Sequence, residues 1–181
     1  MEDSPQLLHS GRFLQLRSVR GWEYASRANA TGVVAIFAMT AKREVLLIEQ
    51  FRPPLGKMVM ELPAGLAGDE PLKENEPLLS AAKRELVEET GYDARKWFSL
   101  GDGPSSAGLT DEMITFFLAL DLLQVRELEH FGVGNERIRL HLVRLGEVPT
   151  FLERRQKEGV AVDFKIYAAL FLAQRHPMMP D

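Results

Sequence analysis

A chain of 181 residues with 45% hydrophobic content is long enough for one domain with a substantial core. Its net charge of −4, with acidic and basic residues interspersed, offers no basic stripe of the kind that tracks nucleic acid, so no nucleic-acid partner is expected. The absence of cysteine excludes disulfides and thiolate metal sites, and His9, His130, His141 and His176 lack paired ligand spacing, so any metal must be held by oxygen.

The N-terminal stretch MEDSPQLLHS is acidic and has neither the basic start nor the apolar core of a secretory signal, which implies a cytoplasmic location. RFLQLRSVRGWEYASR (12–27) holds two short alternating stretches around Arg20-Gly21 and reads as a β-hairpin appendage. TGVVAIFAM (31–39) and EVLLIEQF (44–51) are aliphatic runs separated by polar TAKR, and are expected as central strands. GVVAIFAM and the later MITFFLAL (113–120) are both far shorter than the roughly 20 residues that cross a bilayer, so no membrane partner is expected.

Pro53, Pro54 and Gly56 break the chain before MVMELPAG (58–65), a short strand stopped by Pro63 and Gly65. After an acidic loop, Pro77 to Thr90 reads as a helix: Pro suits its first turn, Leu79, Ala82 and Leu86 share a stripe, and Gly91 ends it. GDGPSSAGLTDE (101–112) is too rich in Gly and Ser for regular structure. In RIRLHLV (137–143), Ile138, Leu140 and Leu142 fall on one face of a half-exposed strand, with Arg137, Arg139 and His141 on the other. Helices are expected over 149–157 and 163–175, the second with Ile166, Ala169, Leu170 and Ala173 on one stripe. Strands with helices between and after them imply a layered α/β or α+β domain.

RELVEETGY (84–92) places Glu85, Glu88 and Glu89 at the end of the first helix. At about 100° per residue the three carboxylates project within one fan. A helix C-terminus carries partial negative charge and prefers cations, so the cluster is unfavourable unless a cation compensates. Mg²⁺ suits this role, because it takes oxygen ligands and bridges carboxylates to substrate phosphates. Arg84, four residues before Glu88, can pair with it and orient it. On the helix alone, a solvated charged face accounts for the same residues.

The flanking sequence favours the metal site. Glu76, seven residues, then Arg84, Glu85, Leu86, Glu88, Glu89 and Gly91 resemble the Nudix box in register. Its first glycine should fall at Glu70; Gly65 stands in its place, with ten residues between it and Glu76 rather than five, which reads as a five-residue insertion in a loop. WEYASR (22–27), EQFRPPLGKMVMELPAGL (49–66), SSAGLTDE (105–112) and GNERIRLHLV (134–143) are similar to segments of the ADP-ribose pyrophosphatase branch of Nudix hydrolases, in the branch's order.

The resemblance implies an α/β/α sandwich with a mixed sheet over residues 31–181, and an antiparallel β appendage over 1–30 serving dimerisation and base binding. It implies that Glu85, Glu88, Glu89 and the Ala64 carbonyl bind Mg²⁺, with Mn²⁺ as a substitute. Arg52 and Glu61 match substrate-contacting positions, Arg27 a phosphate-approaching position, and Gly108 and Leu109 the substrate loop; Ala107 stands where Pro is frequent. Trp22 matches a ring that stacks on the base, although packing against the hairpin's own sheet accounts for it equally. Glu136 matches a mobile-loop glutamate that serves as general base or positions the attacking water, and Arg84, Glu88 and Glu89 complete the catalytic set. Glu61 by its own chemistry could instead support the metal site, and Asp111 and Glu112 could cap a strand or hold sugar hydroxyls.

The implied activity is hydrolysis of a nucleoside diphosphate linked to another moiety, foremost ADP-ribose to AMP and ribose 5-phosphate, by a homodimer. NDP-sugars such as GDP-mannose are the next candidates, and a nucleotide-sensing domain without catalysis is the alternative from another class.

Overall fold

The computed structural model describes residues 4–69, 75–127 and 138–179. The N-terminal appendage is a sheet of three antiparallel strands, β1 (Gln6–Ser10), β2 (Leu14–Val19) and β3 (Trp22–Arg27). The hairpin expected over 12–27 is thus joined by a further strand, β1, whose residues are all exposed and therefore lack the burial pattern that would have announced it. Between β2 and β3 the chain turns through Arg20 (φ 51°) and Gly21 (φ 82°), the pair of left-handed residues that suits a two-residue hairpin loop.

The main sheet has eight strands: β4 (Gly32–Met39), β5 (Glu44–Arg52), β6 (Lys57–Glu61), β7 (Ala64–Ala67), β8 (Tyr92–Pro104), β9 (Met113–Gln124), β10 (Arg139–Arg144) and β11 (Ala161–Val162). Its order is β11-β6-β5-β4-β9-β8, with β10 paired to β5 and β7 to β4. The β4–β9 and β6–β11 pairs are parallel and the rest antiparallel, so the sheet is mixed.

Alternation along β4 divides the core. Val34, Ile36 and Ala38 face α1 (Leu78–Thr90), where they meet Ala81, Ala82 and Leu86. Ala35, Phe37 and Met39 face the opposite side, under α2 (Val148–Lys157) and α3 (Phe164–Gln174), where they share a cluster with Leu152, Ile166 and Ala169. A strand buried on both faces needs this uninterrupted apolar run, and the result is the expected α/β/α sandwich. Among the described residues no helix is long and apolar enough to cross a membrane.

Four expectations are corrected. MVMELPAG is not one strand: Pro63 has no N–H for a ladder, and the chain leaves β5 there to pair with β4 as β7. On α1 it is Leu78, not Leu79, that packs on the core, and Leu79 is exposed because it lies about 100° further round the helix. Residues 101–104 belong to β8, which passes a bulge between Ser99 and Gly101 and stays paired with β9 as far as Pro104. In β10, Leu142 is exposed while His141 turns inward to hydrogen-bond with Glu49, so a histidine–carboxylate pair is partly buried on the face expected to be exposed.

Leu86 is fully buried between α1 and the sheet. Leu86→Ala should lower the unfolding free energy by about 2–5 kcal/mol in urea denaturation, through lost burial and a residual cavity.

Candidate active site

Helix α1 ends at Gly91, whose left-handed conformation (φ 72°) lets its N–H return to the Val87 carbonyl. The last two turns before this stop carry Glu85, Glu88 and Glu89 against β7. The Ala64 N–H donates to Glu89 Oε2 at 3.0 Å, and the Leu66 N–H donates to Glu85 Oε1 at 3.3 Å. Glu85 and Glu89 are buried, while the Glu88 side chain is about one third exposed.

Gly65 permits this closeness. A Cβ on Gly65 would lie 1.9 Å from Glu85 Cδ, so any larger residue drives the carboxylate away from the strand. Gly65 therefore has a steric task at the glutamate cluster itself. Residues 70–74, the greater part of the inferred insertion, lie outside the described residues.

Arg84 sits among these carboxylates. Its Nη1 donates to Glu85 at 2.9 Å and to Glu88 at 3.1 Å, its Nε and Nη2 engage Glu76 at 3.2 and 3.0 Å, and Nη2 also donates to the Leu66 carbonyl at 2.8 Å. Asp69 approaches Nη2 to 3.7 Å. Hydrogen bonding to Glu76, followed by the charges of its neighbours, raises Arg84 above its ordinary pKa, against the opposing effect of burial. Glu76 was expected as a register position of the motif; its part as a fork-to-fork partner of Arg84 appears in the structure alone.

Among the described residues four carboxylates (Asp69, Glu76, Glu85 and Glu88) thus share one guanidinium, and their negative charge exceeds that of Arg84. Burial pushes Glu85 up to about 7, and Arg84 offsets this in part. Among the described residues no three acidic or histidine side chains converge on one metal-sized point, and Arg84 Nη1 lies between Glu85 and Glu88. The donor set nevertheless fits a hard divalent cation: every available donor is oxygen, the charge is in deficit, and the part-exposed Glu88 can turn from Arg84 to meet an ion.

A second group forms where β5 meets β6. Buried Glu61 accepts from Gln50 Nε2 at 3.0 Å and from Arg52 Nε at 2.8 Å, so both expected substrate-contacting residues are joined, together with a Gln not foreseen from the sequence.

A third group lies where the appendage meets the loop before β9. Arg27 Nε donates to Glu112 Oε2 at 2.6 Å, and Ser26 Oγ donates to Asp111 Oδ2 at 2.9 Å. The Ala25 N–H donates to the Leu109 carbonyl at 2.8 Å, which ties the Gly108-Leu109 segment to β3. Asp111 and Glu112 line a cavity of about 270 Å³ with Ser26, Arg27, Thr31 and Gly32. Asp111 and Glu112 thus fasten the loop to the appendage.

Trp22 is 65% exposed, so within one chain most of its surface is left uncovered. Glu136 lies outside the described residues. Gly65→Ala should keep the fold yet displace Glu85, lowering stability by about 1–3 kcal/mol in thermal unfolding followed by circular dichroism.

With this geometry in place, comparison with known proteins adds the following. The NUDIX domain family matches residues 27–168. The chain is 38% identical over 125 residues to an ADP-ribose pyrophosphatase of Bacillus subtilis (strain 168), a match covering 69% of this chain and 64% of that protein. It is 37% identical over 130 residues to an ADP-ribose pyrophosphatase of Mycobacterium tuberculosis (strain ATCC 25618 / H37Rv), covering 67% of this chain and 60% of that one. The matches therefore span about three fifths of the length of these relatives. A crystal structure of an ADP compounds hydrolase superposes with a TM-score of 0.72 over 96% of this chain and 93% of that chain, at 19% identity, a likeness of fold.

Proposed function

The chain belongs to the NUDIX domain family, and from that premise we propose that it hydrolyses a nucleoside diphosphate linked to another moiety, with ADP-ribose cleaved to AMP and ribose 5-phosphate. The observation that carries this reading is the charge deficit at the end of α1, where four carboxylates share Arg84 beside the β7 backbone. The names of the two ADP-ribose pyrophosphatases at 37–38% identity support the choice of substrate. An NDP-sugar such as GDP-mannose stands as the second candidate of the same reaction class.

In this reading Glu85, Glu88 and Glu89, with the Ala64 carbonyl, hold Mg²⁺, for which Mn²⁺ substitutes. A bound divalent ion of this kind acidifies the attacking water and neutralises charge on the leaving phosphate. The protein's own groups supply the rest. Arg52, aimed by Glu61, and Arg27, engaged by Glu112, bring positive charge to the diphosphate. Glu136 accepts a proton from the water or positions it. Trp22 stacks on the base, and Gly108 and Leu109 border the substrate. Arg84, anchored by Glu76 and the Leu66 carbonyl, keeps Glu85 oriented and would leave the part-exposed Glu88 able to hold the ion.

The appendage of residues 1–30 serves as a dimerisation and base-binding unit, in a cytoplasmic protein. In the single chain Leu7, Leu8, Phe13, Leu14, Leu16 and Trp22 are all exposed on a sheet of three short strands, more apolar surface than an isolated small sheet readily leaves in water. A second copy covering it places Trp22 in a shared base pocket.

Two measurements test the proposal. Glu88→Gln and Glu89→Gln should each lower Mg²⁺-dependent AMP release from ADP-ribose by at least about 100-fold, as expected for a weakened metal site; full activity in both sinks the metal assignment, and unchanged ADP-ribose with the native chain favours a nucleotide-sensing domain. Analytical ultracentrifugation should give a mass twice that of one chain, and a strictly monomeric species overturns the dimer.

A further inference from the structure

The side chain asked to meet phosphate, Arg27, is not free to choose its direction. Its Nε–H is taken by Glu112 Oε2 at 2.6 Å, and among the described residues its two Nη nitrogens have no hydrogen-bond or ion-pair partner. A guanidinium is a rigid plane with five N–H donors, so fixing the Nε–H also fixes where the other four point.

Arg27 stands between two hollows. It shares the one of about 270 Å³ with Glu112 and Asp111, and the other, of about 200 Å³, with Phe13, Leu66 and Asp69. Leu66 and Asp69 are the residues whose carbonyl and carboxylate meet Arg84, so the second hollow runs to the edge of the glutamate cluster. Glu112 cannot drift with the loop. Its N–H donates to Thr110 Oγ1 at 3.1 Å, its carbonyl accepts from the Ser105 N–H at 3.1 Å, and the preceding Asp111 is tied to Ser26.

We infer that Glu112 is a positioning residue: its carboxylate locks the Arg27 guanidinium so that the free Nη edge is presented to a diphosphate lying beside the glutamate cluster. The inference rests on the reading of Arg27 as a phosphate-binding group. Two effects of Glu112 oppose each other. Its charge repels an incoming phosphate, whereas its hold removes the rotamer freedom that a long side chain otherwise loses on binding. The short distance, the planar fork and the part-buried carboxylate, with 17% side-chain exposure, put the second effect ahead.

The two effects predict opposite signs. Binding of ADP in the presence of Mg²⁺ is measured by calorimetry for the native chain, Glu112→Ala, Glu112→Gln, Arg27→Ala and the double variant Arg27→Ala/Glu112→Ala. Glu112→Ala should raise Kd about tenfold, while Glu112→Gln, which keeps an acceptor for the Nε–H, should stay within about threefold of the native value. In the Arg27→Ala background the Glu112→Ala change should add no more than about twofold, because the partner it positions is gone. Equal or tighter binding by Glu112→Ala, an undiminished loss in the Arg27→Ala background, or no ADP binding by the native chain overturns the inference. Glu112→Gln preserves size and shape, so comparison with native decides the charge effect even where the alanine variant does not fold: binding by Glu112→Gln more than about threefold tighter than native counts against positioning. ADP-ribose turnover is followed in parallel. A native chain that binds ADP in this pattern yet releases no AMP from ADP-ribose refutes the proposed substrate and leaves the role of Glu112 standing.

Discussion

Among the described residues Arg84 lies amid more negative charge than one guanidinium can balance, and the end of α1 is built around that imbalance. Asp69, Glu76, Glu85 and Glu88 all approach it, and the Leu66 carbonyl takes a further donor. A cluster of this kind in water would spread its side chains apart. Here the glutamates are kept close because β7 lies against the helix and its backbone N–H groups bind Glu85 and Glu89, while Gly65 leaves the room that Glu85 needs. A further cation bound there would offset a repulsion already present in the fold.

The presence of β7 in that position follows from how the sheet divides. β5 pairs with β4 at Val45 and Leu46, then with β6 from Ile48 onward, so the first half of β4 has an edge to spare. At Leu62 and Pro63 the chain crosses from one partner to the other: the Pro63 carbonyl accepts from the Ile36 N–H, and Ala64–Ala67 complete the edge of β4. One short passage thus carries Glu61, bound to Arg52 and Gln50 beside β5, on one side and the Ala64–Leu66 backbone of the glutamate cluster on the other.

Not every buried charge serves the site. Glu49 accepts from Arg155 Nη2 at 2.8 Å through both carboxylate oxygens and pairs with His141 at 2.9 Å, joining β5, β10 and α2 on the face opposite α1. Burial, the largest influence, holds His141 below its usual pKa despite that carboxylate. The group ties α2 to the sheet. Residue type alone therefore does not separate a Glu that ties elements together from one at the candidate site; the elements that share it do.

The central strands, the first helix and the fan of glutamates were legible in the chain because each is a local pattern: an apolar run bounded by turns, a stripe at helical spacing, a Pro before and a Gly after. The resemblance of RELVEETGY and its flanks carried the family as well. What distance along the chain concealed was who partners whom. The exposed β1, the transfer of the chain at Pro63, the inward turn of His141, the grip of Glu76 on Arg84 and the pairing of Arg27 with Glu112, 85 residues apart, all depend on contacts between remote segments. Periodicity states which face of an element is apolar, but a carboxylate's partner is set by the packing of whole layers, and that packing alone decides which charges meet.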